Sequence, residues 1–237
     1  MAGSPPMMSR LVLFDIDGTI LLTAGAGRRA ITAALAELLG DRTSFERIRF
    51  DGKTDPQIVT EMLAAAGEPG PPDDDRIRAV CDRYVRLLER ELATTTGTHL
   101  MPGFPEILDR LERQSGVVLG LLTGNLERGA ALKLRAAGLD PARFRVGAYG
   151  SDAAHRPDLP PIAARRAEPL FGRVPVGTEV VIIGDTPADV ACGVGIGART
   201  VAVATGAYSV AQLAACGAHA VFADLGDTDR VLDAILS

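Results

Sequence analysis

The chain has 237 residues, 47% of them hydrophobic, and a formal charge of −5. That length can bury a sizeable core unaided, as one large domain or two smaller ones. An acidic chain without a basic run lacks the electrostatic footprint of a nucleic-acid or anionic-membrane partner, and no apolar run approaches membrane-spanning length.

The start, MAGSPPMMSR, has prolines where a secretory signal needs an apolar stretch, and reads as a loose tail. LVLF, Leu11 to Phe14, is then an apolar run of strand length that stops at two acids, Asp15 and Asp17. After Ile20 the periodicity becomes helical. In RRAITAALAELLG, Ile31, Leu35, Leu38 and Leu39 share one helical face, and Gly40 suits the stop. TDPQIVTEMLAAAG has Asp55 as a cap, Pro56 at the first helical position, and a stripe of Ile58, Val59, Met62 and Leu63. After the loop GEPGPP, three acids from Asp73 to Asp75 favour a helix start, and Ile77, Val80, Tyr84, Leu87 and Leu88 follow on one side. This all-helical unit runs from about Leu22 to Gly97.

From Leu100 the pattern alternates. Apolar runs at 117–122, 180–183, 200–203 and 220–222 are separated by helix-like segments such as GFPEILDRLERQ, LERGAALKLRAAG, PPIAARRAEPLF and PADVACGVG. Continuous apolar strands joined by helices imply a parallel sheet covered on both faces. The expected fold is therefore α/β: a Rossmann-like, doubly wound parallel-sheet core from 1–22 and 98–237, with an α-helical cap, 23–97, inserted after strand one. Cys81, Cys192 and Cys216 are far apart and without Cys-x-x-Cys spacing, so they read as reduced, mostly buried thiols of a cytoplasmic protein. His99, His155 and His219 have no metal-ligand spacing.

In open α/β sheets functional groups gather beyond the carboxyl ends of the strands. Here those ends carry Asp15 and Asp17, then Thr123-Gly124-Asn125, then Asp185 with Asp189 four residues on. Each close pair of like charges costs about 4 kcal/mol at 4 Å for an effective dielectric near 20. Converging acids therefore call for a cation, and hard oxygen ligands suit Mg²⁺. With its charge so offset, a carboxylate can attack phosphorus to give an aspartyl-phosphate. A second acid one residue away can protonate the leaving oxygen and later take a proton from water.

DIDGT, LLTGN and GDTPAD, in this order and over nearly the whole chain, resemble motifs one, two and four of the haloacid dehalogenase superfamily. The nearest resemblance is to its capped phosphatase subgroup, which includes phosphoglycolate phosphatases and β-phosphoglucomutases. It implies Asp15 as nucleophile and metal ligand. Asp17 would be the general acid/base, reaching the metal through its backbone carbonyl, with Gly18 and Thr19 permitting the turn. Thr123 would donate its hydroxyl to the phosphoryl group, with Gly124 and Asn125 completing the phosphate site. Asp185 would be a further Mg²⁺ ligand, and Asp189 would hold a metal-bound water or the basic residue. Motif three usually has a lysine before a proline. Arg156 before Pro157 occupies the matching place, with Lys133 and Arg128 on the preceding helix as alternatives.

Lys53, in FDGKTDPQ, resembles a residue of the subgroup's substrate-specificity loop, and reads equally as a solvated loop residue. Arg28 and Arg29 open the first helix after AGAG and could meet a phosphate or be merely exposed. The expected activity is Mg²⁺-dependent hydrolysis of small phosphorylated metabolites. A sugar phosphomutase shares the first half-reaction and is the closest rival. A dehalogenase would lack the acid at Asp17, and a phosphonate hydrolase would need Lys53 as a Schiff base. A phospho-aspartate receiver or a catalytically silent binder are the non-enzyme readings.

Overall fold

A computed structural model describes residues 10–40, 45, 47–67 and 72–237; the proline-bearing start and most of the loop at 67–72 lie outside the described residues. β1 (Arg10–Phe14) leads through a tight turn to β2 (Leu21–Leu22), then to α1 (Ala26–Leu39), α2 (Asp55–Ala65) and α3 (Asp74–Thr94). β3 (His99–Leu100) returns antiparallel to β2, so the entry and exit of the three helices are tied together. There follow α4 (Phe104–Glu112), β4 (Val117–Thr123), α5 (Glu127–Ala136), β5 (Val146–Tyr149), α6 (Leu159–Phe171), β6 (Val180–Gly184), α7 (Pro187–Cys192), β7 (Arg199–Val203), α8 (Val210–Ala215), β8 (Ala220–Phe222) and α9 (Thr228–Leu236).

The six long strands form one parallel sheet in the order β5-β4-β1-β6-β7-β8. The fold is α/β and doubly wound. β1 lies between β4 and β6, with Phe14 opposite both Leu121 and Ile183. That explains the unbroken LVLF: a strand paired on both sides and covered on both faces has no side left for water. Val12 and Phe14 face one cluster with Phe104, Ile107 and Ile235, while Leu11 and Leu13 face the other with Leu159, Ala163 and Ala167. The Phe14 and Phe104 rings meet edge to face at 5.5 Å.

The five expected strands lie within about a residue of their observed bounds, whereas β2, β3 and β5 are additions. VGAY has a glycine and four residues, too little pattern to distinguish it from a loop. α8 and α9 are likewise additions. The three helices after β2 hold an apolar cluster of their own, with Ile31, Leu35, Val59, Met62, Tyr84 and Leu88 at its centre. Leu38, expected on that face, is exposed. Asp73 caps α3 through Arg76 N at 2.7 Å, and Gly40 ends α1.

One expectation is corrected. Thr54, not Asp55, caps α2, its hydroxyl accepting from Gln57 N at 3.2 Å. Asp55 is the first residue of the helix and its carboxylate points elsewhere. No described helix is long and apolar enough to cross a membrane. Cys81 and Cys192 are buried, Cys216 is exposed, and all three are free thiols.

Candidate active site

The carboxyl ends of β1, β4 and β6 adjoin, because β1 is hydrogen-bonded to the other two. Asp15 follows β1, Thr123 ends β4, and Asp185 follows β6, so the register that pairs the strands brings their terminal groups together. The turn after Asp17 needs Gly18, whose φ is +86° and whose Cβ would strike the Asp185 carboxylate. Thr19 then donates its hydroxyl to Asp185 Oδ1 at 3.1 Å. This contact gives Thr19 a positioning function beyond the turn.

Asp15, Asp185 and Asp189 are all buried, and one carboxylate oxygen of each lies within 4.8 Å of the others. Burial pushes the Asp15 carboxyl up to about 6, against the pull of Arg156. Burial, with Asp189 and Asp15 beside it, pushes Asp185 up to about 9. Acids forced towards their neutral forms in a tight oxygen-lined group are what a divalent cation would relieve, so the residues fit Mg²⁺. Asp15 and Asp185 are the better donors. Asp189 is occupied: it accepts from Thr186 N at 3.0 Å and Thr186 Oγ1 at 2.6 Å, closing the capping box of α7, and pairs with Arg156. The Asp17 carboxylate is not one of this group and is bonded instead to Lys133 and Asn125.

The metal-free fold holds a proton on Asp185 from the ordinary carboxylate range up to about pH 9, where the unfolded chain has lost it. Stability without metal should therefore fall as pH rises through that window. A divalent cation bound by these acids would take the place of the proton, so the melting-temperature gain from saturating Mg²⁺ is expected to be larger at pH 8 than at pH 6. Fluorimetric melts at the two pH values check this, and an equal gain at both contradicts it.

Two cations serve three acids. Arg156, 5% exposed, donates from Nη2 to Asp189 Oδ1 and to the Leu122 carbonyl at 3.4 Å, and the same nitrogen forms an ion pair with Asp15 Oδ1 at 3.0 Å. Burial works against its charge, but Asp189 and Asp15 outweigh that and hold its pKa up. Its Nε is buried without a partner among the described residues. Lys133, 4% exposed, donates to Asp17 Oδ2 at 2.6 Å and Oδ1 at 2.8 Å. Lys133 and Arg156 thus each meet carboxylates of their own. A signal existed for Lys133: it lies on the buried face of α5 with Gly129, Ala130 and Leu134, where a lysine needs a partner. Arg128, the third candidate, lines a separate cleft.

Asn125 Nδ2 donates to Asp17 Oδ2 and Thr123 Oγ1, each at 2.8 Å, so Asn125 orients the second acid and leaves the Thr123 proton free. Lys53 lines the same cavity, but its ammonium is bonded to Glu61. The loop carrying Lys53 presses its carbonyl so close to Gly124 that a Cβ there would clash.

Asp55 closes this junction. Its N–H donates to Gly124 O at 2.8 Å, its Oδ2 accepts from Leu126 N at 2.8 Å, and Thr54 Oγ1 donates to Ala154 O at 2.6 Å. Leu126 is the N-cap residue of α5, which has no side-chain cap of its own. A residue of one helix thus caps another 71 positions away. Burial pushes the Asp55 carboxyl up to about 6, against Lys133 and the Leu126 N–H. Asp55→Ala is expected to melt lower, having stranded a donor worth about 1–3 kcal/mol. Asp55→Asn retains an acceptor and no longer buries a charge above pH 6, so at pH 8 it should melt no lower than the native chain. Calorimetry of the two variants distinguishes acceptor from charge.

The cavity these residues line measures about 260 Å³ and is also bounded by Gly25, Arg28, Phe50 and Tyr84. Residues 9–197 match the model of the haloacid dehalogenase-like hydrolases. The chain is 32% identical over 230 residues to a phosphoglycolate phosphatase of Rhodospirillum rubrum, covering 93% of this chain and 90% of that protein. It is 28% identical to one from Cereibacter sphaeroides, over 95% and 99% of the two chains. Among solved structures it is similar to CbbY from Rhodobacter sphaeroides in complex with phosphate, with a TM-score of 0.74 and 21% identity over 92% of this chain and 96% of that one. A hydrolase from Pseudomonas syringae matches with a TM-score of 0.71 and 22% identity, over 97% and 100%. These two structures speak for the fold alone.

Proposed function

Because the chain belongs to the haloacid dehalogenase-like hydrolases, we propose that it hydrolyses phosphomonoesters of small metabolites, with Mg²⁺, through an aspartyl-phosphate on Asp15. The observation that carries this reading is the arrangement at three strand ends, where Asp15, Asp185 and Thr123 adjoin and each acid of the Asp15–Asp17 pair has its own cation. Residues 23–97 form the cap in this proposal, docked through Asp55 on a core made of 1–22 and 98–237.

Asp15 Oδ bonds to phosphorus as the ester P–O bond breaks, and Asp17 gives its proton to the departing oxygen. Water then attacks phosphorus, its proton passes to Asp17, and the bond to Asp15 breaks to release phosphate. Lys133 and Asn125 fix the Asp17 carboxylate for both transfers. The Thr123 hydroxyl, the backbone N–H groups beside it and the unused Arg156 Nε are the donors available to phosphoryl oxygens. Asp15 and Asp185, with Asp189 beside them, would hold Mg²⁺, which supplies charge neutralisation for carboxylate and phosphoryl oxygens. The docked cap keeps bulk water out. Three free thiols favour a reducing, cytoplasmic setting.

The test is phosphate release with Mg²⁺ from a panel that includes 2-phosphoglycolate, the substrate in the name of the curated relatives, and p-nitrophenyl phosphate. Release from at least one member supports the proposal. No release from any, or isomer formation from a hexose 1-phosphate without release, overturns it.

A further inference from the structure

Four cations line the cavity: Arg28, Lys53, Lys133 and Arg156. Three are neutralised, Arg156 by Asp15 and Asp189, Lys133 by Asp17, and Lys53 by Glu61. Arg28 differs. Its Nη2 donates to the Ile48 carbonyl at 3.0 Å, and its guanidinium carbon lies 3.8 Å from the centroid of the Phe50 ring. Among the described residues it is the one cation of this cavity without a carboxylate partner. The stack and the single carbonyl bond hold the guanidinium plane in place while leaving most of its donors unused.

Arg28 stands on the wall made by α1 and the loop through Phe50, whereas Asp15, Thr123 and Arg156 belong to the strand-end loops. A phosphoester with its phosphoryl group at Asp15 presents its other end to the helical wall. Resting on the phosphomonoester reading above, we propose that Arg28 determines specificity by binding a second anionic group, a carboxylate or another phosphate, at the far end of a short substrate. Arg28 is exposed, and a guanidinium so held, without a carboxylate partner among the described residues, matches either group with two parallel N–H donors, whereas a neutral end would leave its charge without a partner. The cavity volume, about 260 Å³, lies below the usual ligand-pocket range of about 300–1,000 Å³ and suits a chain of a few carbons.

The experiment compares kcat/KM with Mg²⁺ for 2-phosphoglycolate, ethane-1,2-diol bisphosphate and ethyl phosphate, which share a two-carbon frame and differ in the distal group. The native chain is expected to favour at least one doubly anionic substrate over ethyl phosphate by tenfold or more, and which of them is favoured identifies the anion. Arg28→Gln should reduce that preference by about 10–100-fold, mainly through KM, and Arg28→Lys should restore part of it. Circular dichroism and thermal melts establish that both variants fold. An unchanged preference in Arg28→Gln overturns the inference, as does a native chain that hydrolyses ethyl phosphate no worse than the dianions. A native chain inactive on all three and on p-nitrophenyl phosphate instead overturns the phosphatase reading, and the role of Arg28 falls with it.

Discussion

Asp15→Asn is expected to lower phosphate release by at least about 10⁴-fold while leaving the fold intact. The amide is nearly the size of the carboxyl it replaces and can still accept from Arg156, so packing beneath the site is retained. The structural cost is small for a second reason. Burial already favours the uncharged carboxyl at this position, and an amide is uncharged at every pH. What is lost is the oxygen nucleophile, which no neighbour replaces, since Asp17 is bonded to Lys133 and Asn125. Steady-state assays on the best substrate, beside a melt showing native-like stability, form the check. Turnover surviving in the variant would falsify the assignment.

Arg156→Met is expected to fail in two ways at once. It removes the cation from a buried group of three acids, and stranding buried charge typically costs about 3–5 kcal/mol. At roughly 2–4 °C per kcal/mol for a chain of this size, the melting temperature should fall by roughly 10 °C at pH 8. Without Arg156 the neighbouring carboxyls hold protons to still higher pH. The deficit should therefore be full at high pH and shrink as pH falls towards the ordinary carboxylate range, where both states are protonated. Activity should fall by about 10²–10³-fold, the usual loss of one charge-stabilising donor. Arg156→Lys, which retains a point charge without the fork, should recover most of the stability and part of the rate. Melts at pH 8 and pH 5 beside kinetics decide it, and a stability loss that ignores pH speaks against the ion-pair account.

Much of the site is legible along the chain because a buried parallel strand must be a continuous apolar run, and such runs end where polar groups first reach the loops. Asp15, Thr123 and Asp185 are each the first polar residue after such a run, and the sheet joins those ends. Asp189 shows the limit. Its acid in the first turn of α7 has an ordinary local explanation, the capping box with Thr186, and that explanation holds. The same carboxylate also pairs with Arg156, a contact for which no local pattern exists.

The assignment of cations was less legible for the same reason. Arg156 and Lys133 both carry one positive charge on helical segments, and chain order does not say which acid each will meet. Strand register and helix packing place Lys133 against Asp17, 116 residues away, and Arg156 against Asp15. Asp55 is the clearest correction: read along the chain it caps its own helix, yet it caps α5 instead.

Periodicity and the polar residues that end each run determined the α/β class, the inserted helices and the three polar strand ends, two of them acidic, because burial on both faces of a strand is written into consecutive residues. The tertiary structure alone decided which side chains pair, that the Lys53 ammonium is held by Glu61, and that Arg28 has no carboxylate partner among the described residues. Those outcomes depend on distances between segments remote in the chain, and each carboxylate can satisfy only the donors that packing brings within reach.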